Sequence, residues 1–179
     1  MNNKDFIKII KERIIKEFSV KNVNALPKLT KISVSVRVGR YKEDQKGVES
    51  AKEELQAITG QKPSERISKK SISSFKLKGG DMVGLLVTMR GEKMWSFLAK
   101  LVKVILPSVR DFSGTNPKSI DNQGNLSIGF KDQTPFPEID PNKIDKLRGI
   151  GVTLTTSLSD PVTSQKFFEC LGFVFTKER

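Results

Sequence analysis

The stretch Thr30 to Val38, "TKISVSVRV", alternates without exception. Ile32, Val34, Val36 and Val38 point one way, and Lys31, Ser33, Ser35 and Arg37 point the other. That is the period of a strand with one buried face. One side belongs in a core. The other offers cations and hydroxyls, which suits an RNA-reading sheet surface and an ordinary solvated face equally well.

Upstream, Phe6, Ile9, Ile10, Ile14 and Phe18 recur at helical spacing with lysines opposite, predicting a helix from about Asp5 to Phe18. The acids Asp5, Glu12 and Glu17 dilute its positive face, so a helix docked on the body fits better than one lying on lipid. Downstream, Val48, Ala51, Leu55 and Ile58 predict a helix from Gln45 to Ile58, with Asp44 as its cap and Gly60 as its end. Strands are expected around 63–72 and 82–90. The stretch "GEKMWSFLAKLVKVILP" (91–107) reads as a helix burying Met94, Phe97, Leu98, Leu101, Val102 and Ile105, stopped by Pro107. Trp95 is expected to be a packing residue.

Residues 111–118 read as loop, and 119–130 as a hairpin turning at Asn122 to Gly124. The proline-rich segment 134–146 should be extended, then form one helical turn. A strand over 150–157 leads to a last helix opened by Asp160-Pro161 and closed by Gly172. Hairpins interspersed with helices, rather than regular βαβ units, predict an α+β fold: a mostly antiparallel sheet flanked by helices, with a protruding basic hairpin loop. At 179 residues, a single domain over 1–179 is expected, with sub-lobes 1–80 and 81–179.

Charge separates those sub-lobes. The chain carries 32 Lys/Arg against 20 Asp/Glu, a net +12. Residues 1–80 hold 19 cations and 9 acids, whereas 81–179 hold 13 and 11. Such a balance points to a polyanionic partner, with the electrostatic footprint on the first half.

Absences narrow the chemistry. There is no histidine, hence no His general base and no Ser-His or Cys-His pair. The single Cys170 permits no intrachain disulfide or cysteine metal cluster, and within "FFECLGF" it reads as a buried structural thiol. Glu138, Asp140 and Asp145 stand among Lys143, Lys146 and Arg148, where surface ion pairing is the default reading. Gly79-Gly80 lacks the Gly-Lys-Ser/Thr of a phosphate loop, and "GIG" (149–151) lacks the third glycine of a dinucleotide fingerprint. No catalysis, no cofactor and no metal are expected. The lone thiol is compatible with a cytosolic or organelle-matrix compartment; no stretch suits a membrane span or a signal peptide, and no membrane partner is expected.

The segment "ISKKSISSFKLKGGDMVG" (67–84) is what remains. Lys69, Lys70, Lys76 and Lys78 suit phosphates, Phe75 suits a ribose or base, and the glycines allow close backbone approach. A partnerless charged hairpin is the competing reading, but an apolar side chain at a solvated tip favours contact.

At this point the chain resembles the bacterial-type large-subunit ribosomal protein five family, the universal 5S-rRNA-binding ribosomal proteins. The likeness runs from about Lys28 onward. It is densest in "TGQKP" (59–63), "KKSISSFKLKGG" (69–80), "VTMRGEKMWSFL" (87–98), "LPSVRDFSG" (106–114), "DNQGNLSIGFKDQTPFPEID" (121–140) and "DKLRGIGVTLTT" (145–156).

The resemblance implies a noncatalytic constituent of the large ribosomal subunit, in a cytoplasmic or organelle-matrix ribosome. Expected partners are 5S rRNA, 23S-type rRNA, P-site tRNA, a small-subunit head protein and neighbouring proteins of the central protuberance. It assigns 5S rRNA to the outward face carrying Lys31, Ser33, Ser35 and Arg37, with Gln61, Lys62, Pro63, Thr88 and Arg90. It assigns tRNA contact to the loop of Lys69, Lys70, Ser74, Phe75, Lys76, Leu77, Lys78, Gly79 and Gly80. An intersubunit bridge falls to Asp140, Lys143, Lys146 and Arg148. The chain departs from the family pattern at Ser35 and Arg37, where Asn-x-Gly is common, and at Leu86, often basic. The rival is a free RNA-binding chaperone or assembly factor.

Overall fold

The computed structural model describes residues 3–19, 22–39, 45–75, 77–110, 112–140, 144 and 146–176. The expected cap Asp44, the loop cation Lys76, and Lys143 and Asp145 lie outside the described residues. Five strands, β1 (Leu29–Arg37), β2 (Ser64–Ile67), β3 (Met82–Met89), β4 (Leu126–Phe130) and β5 (Ile150–Thr156), form one sheet in the order β2-β3-β1-β5-β4. The helices are α1 (Asn3–Phe18), α2 (Gln45–Thr59), α3 (Gly91–Lys100), the short α4 (Leu106–Ser108) and α5 (Pro161–Leu171). The architecture is the expected α+β, with an antiparallel sheet.

The alternation in β1 is realised: Ile32, Val34 and Val36 are buried, with Val38 just beyond the strand, while Ser35 and Arg37 are exposed. In β3, Leu85, Val87 and Met89 are buried in the same way, and in β5 Ile150, Val152 and Leu154. Each strand therefore has an apolar face and an open one.

Three local expectations need correction. The strand expected over 63–72 is only four residues long: the pairing with β3 shifts register between Arg66 and Ile67, and the regular strand ends at Ile67. The hairpin over 119–130 reduces to β4 and a single bridge between Ile120 and Leu126. Third, Pro107 does not stop the helix at its door. Between α3 and α4 lies a π-helical turn, Leu101–Ile105, closed by the Leu106 N–H on the Leu101 carbonyl. A proline lacks an N–H and clashes with the carbonyl four residues back. The widened turn accommodates it, and the helix ends at Ser108, whose hydroxyl donates to the Val104 carbonyl at 2.7 Å.

The chain forms two units, residues 1–32, 89–128 and 153–179 in the first and 33–88 and 129–152 in the second. In the first, α1 packs against α3 and α5, burying Phe6, Ile10 and Ile14. Lys103 Nζ sits 4.5 Å from the Phe6 ring centre, a cation–π contact. Phe168 meets Phe167 and Phe173 edge to face. The α5 caps are as the sequence predicts: Asp160 accepts the Thr163 N–H, Pro161 occupies the first turn, and Gly172 closes in the left-handed region (φ 101°). Cys170, expected to be buried, is half-buried; burial pushes its thiol up, helped by Glu17 and Glu169 and opposed by Arg13.

In the second unit α2 buries Val48, Ala51, Leu55 and Ile58, and the three larger side chains contribute about 1.5–3 kcal/mol each. Lys52 of α2 bridges Glu65 of β2 at 2.6 Å. Phe130 and Phe136 pack edge to face at 5.4 Å.

Candidate nucleic-acid interface

The open faces of the strands in the second unit carry mostly short side chains. On β1 they are Ser33, Ser35 and Arg37; on β3, Gly84, Leu86 and Thr88; on β5, Gly151; at the end of β4, Gly129. No bulky apolar group other than Leu86 stands on these positions, so a rigid polymer can approach the backbone closely.

Two glycines earn their place by geometry. A Cβ on Gly84 would come 3.1 Å from the Val36 carbonyl oxygen, and one on Gly151 would come 2.9 Å from Ser35 Oγ. The Ser35 hydroxyl instead donates to the Gly151 carbonyl at 3.3 Å. Its proton is thus committed to the sheet, and what it offers outward is acceptor capacity. A ribose 2′-OH can use that; a deoxyribose cannot.

Gln61 hangs beside this face from the turn after α2, donating through Nε2 to the Thr88 carbonyl at 3.4 Å. Thr59 braces the same turn, its hydroxyl 2.7 Å from the Leu55 carbonyl. Lys62 is exposed and Pro63 half-buried. The structure therefore brings Ser33, Ser35, Arg37, Gln61, Lys62, Pro63 and Thr88 into one unit. Lys31 and Arg90 belong to the other unit, the first half-buried on β1, the second exposed just ahead of α3.

Sequence reasoning missed Arg66. The β2–β3 register pairs Arg66 with Gly84 and Glu65 with Leu85, so Arg66 shares the open face while Glu65 turns to α2. A four-residue strand with every residue exposed gives no alternation to read. Only the register finds this cation.

The connection from β2 to β3 is laddered rather than slack. Ser68 N–H donates to the Asp81 carbonyl and Gly80 N–H to the Ser68 carbonyl; Ile72 and Leu77 exchange both backbone bonds. Side chains add two more, Gly79 N–H to Ser71 Oγ at 2.9 Å and Lys78 N–H to Asp81 Oδ2 at 3.0 Å. Gly80 lies at φ 93°, where other residues are strained. Lys69, Lys70, Ser74, Lys78 and Gly79 are exposed, Leu77 is half-buried, and Phe75 is 78% exposed.

The candidate bridge residues separate. Asp140 is exposed and Lys146 half-buried. Arg148 is corrected outright: its side chain is 1% exposed, with Nη1 2.6 Å from Glu54 and Nη2 3.1 Å from the Gly47 carbonyl. Its backbone N–H donates to Gln133 Oε1, whose amide donates onward to the Lys146 carbonyl. That guanidinium holds the loop to α2 and presents no charge outward. Among the described residues no cluster of His, Cys, Asp or Glu could hold a metal, and no helix is long and apolar enough to cross a membrane.

The profile of the C-terminal region of the ribosomal protein L5 family matches residues 82–175, and the profile described as "Ribosomal protein L5" matches 22–78. The chain belongs to the ribosomal protein L5 family. Relatives named large ribosomal subunit protein uL5 agree. One from Dictyoglomus turgidum is 42% identical over 96% of both chains. Another, from Thermus thermophilus, is 42% identical over 94% of this chain and 92% of its own. A third, from Idiomarina loihiensis, is 40% identical over 92% of each. L5 proteins are structural constituents of the large ribosomal subunit and not enzymes. Ser35 and Arg37, and Leu86 on β3, stand on the open face.

Proposed function

We propose that this L5-family chain holds 5S rRNA against the open strand faces of its second unit, within the central protuberance of the large subunit. The observation that carries the reading is the combination on one face of hydroxyls, backbone-only glycines and the cations Arg37 and Arg66. Phosphates meet the guanidinium groups, and 2′-hydroxyls meet Ser33, Ser35 and Thr88. Gln61, Lys62 and Pro63 extend the same interface, and Lys31 and Arg90 of the first unit are assigned to the same RNA. The compartment is the ribosome-bearing cytoplasm, and 23S-type rRNA and neighbouring proteins of the protuberance complete the surroundings.

The β2–β3 connection serves a second nucleic acid. Its laddered backbone presents Lys69, Lys70 and Lys78 around the exposed Phe75, with Gly79 and Gly80 leaving room, so that a P-site tRNA meets charges and a ring already in position. Ser74, Lys76 and Leu77 lie in the same loop. Asp140, Lys143 and Lys146 are assigned to the small-subunit head protein, with Arg148 anchoring their segment from inside.

Binding to 5S rRNA is expected to depend steeply on salt. With roughly 6–10 phosphates neutralised, and by analogy with duplex DNA, affinity should fall on the order of a thousandfold or more between about 50 and 200 mM salt. A flat response would remove the phosphate-led interface. The chain is also expected to stay on large subunits through a high-salt wash, whereas a transient assembly factor would be stripped.

A further inference from the structure

One concavity of the second unit is not explained by phosphate contact along a strand face. Between β1, the end of β4 and the start of β5 lies an open groove of about 440 Å³, within the range of sites that take a small molecule. Its walls include Gly129, Gly149 and Gly151, three positions with no side chain at all, together with Ser35, Arg37 and Leu147. A Cβ on Gly129 would meet nothing within 4 Å. Leu147 is 66% exposed, an apolar side chain at the rim beside the inward-turned Arg148. Arg37 is exposed at the far end of β1. A duplex backbone has no use for an apolar wall; a base taken out of its stack does.

We infer that this groove receives a single unpaired nucleotide of the bound RNA, its base against Leu147 over the glycine floor and its phosphate toward Arg37. The inference rests on the RNA-binding reading given above and adds to it the element recognised. Arg148 supplies no phosphate contact, because Glu54 and the Gly47 carbonyl occupy its guanidinium. Ser35, whose proton goes to the Gly151 carbonyl, accepts from the 2′-hydroxyl of that nucleotide. Sequence-specific RNA recognition targets splayed bases of loops and bulges rather than the body of a helix.

The test uses the full chain and a bacterial 5S rRNA transcript, with Gly129→Leu filling the groove and Leu147→Ser removing its apolar wall. Open space at Gly129 lets the first variant fold, which its unfolding midpoint checks; should it fail to fold, Leu147→Ser decides. The expected result is binding weaker by roughly tenfold, the scale of one aliphatic side chain losing its burial against a base. With it, an unpaired base protected from dimethyl sulfate by the parent chain becomes reactive again. Equal affinity and an unchanged protection pattern in a folded variant would overturn the inference while leaving 5S binding intact. A parent chain that does not bind 5S rRNA sinks both.

Discussion

Arg148 Nη1 lies 2.6 Å from Glu54 Oε1 although the two residues are 94 apart in sequence. The pair fastens the segment before β5 to α2, and with Gln133 it fixes where the strand begins. A largely buried guanidinium left without its carboxylate is expensive.

Glu54→Ala is therefore expected to destabilise the protein by about 3–5 kcal/mol, whereas Glu54→Leu combined with Arg148→Met should recover most of that loss. Urea unfolding of the two variants checks it. A single variant within about 0.5 kcal/mol of the parent, the ordinary scale of surface substitutions, would mean the pair is not buried in solution.

Arg66→Ala should weaken 5S rRNA binding and lower the magnitude of the salt slope by about one, since one phosphate contact is removed. Glu65→Ala, on the same strand but facing α2, should leave the slope unchanged. Salt titrations of the two variants separate the faces of β2. Equal slopes for Arg66→Ala and the parent would take Arg66 out of the interface.

Replacing Lys69, Lys70 and Lys78 together by alanine should weaken retention of P-site tRNA on reconstituted ribosomes and spare 5S rRNA incorporation. Gly80→Val should imitate that defect by straining the loop at its positive φ. If either change abolished 5S binding, the division of the surface proposed above would be wrong.

The Thr163 hydroxyl and backbone N–H hold the Asp160 carboxyl below its ordinary 3.8. A depressed native value means the cap stabilises above the unfolded pKa and is lost as pH falls through the native one. Asp160→Ala should lower the unfolding midpoint by a few degrees near pH 7, and the gap should close as acid protonates the carboxyl in the native state. A gap independent of pH would mean that the ionised carboxylate is not what caps α5.

The legible parts of this chain are those where local chemistry and tertiary structure agree. β1 declared itself because its apolar positions fill a core and its polar ones do not. The ends of α5 did so because Asp160, Pro161 and Gly172 each suit one terminal conformation. β2 stayed hidden because it is four residues long and exposed throughout, so only its pairing with β3 defines it. The π turn could not be read either, since Pro107 signals a stop and the helix instead widens around it. Arg148 looked like a surface cation because its neighbours in sequence are charged. Its partner comes from a helix near the start of the chain, and no spacing rule links the two. For the interface, alternation marked Ser33, Ser35 and Arg37, but Arg66 and the groove beside Leu147 needed strand register and three-dimensional shape.

The most direct measurement is the affinity for 5S rRNA of two doubly substituted chains, Ser35→Glu with Thr88→Glu on the open strand faces and Lys69→Glu with Lys78→Glu on the β2–β3 loop. Acid on the strand faces is expected to abolish binding at physiological salt, and acid on the loop to leave it within about threefold, a difference under 1 kcal/mol. Folded chains showing the reverse pattern, or equal losses from both, would contradict the assignment of 5S rRNA to the open face of the sheet.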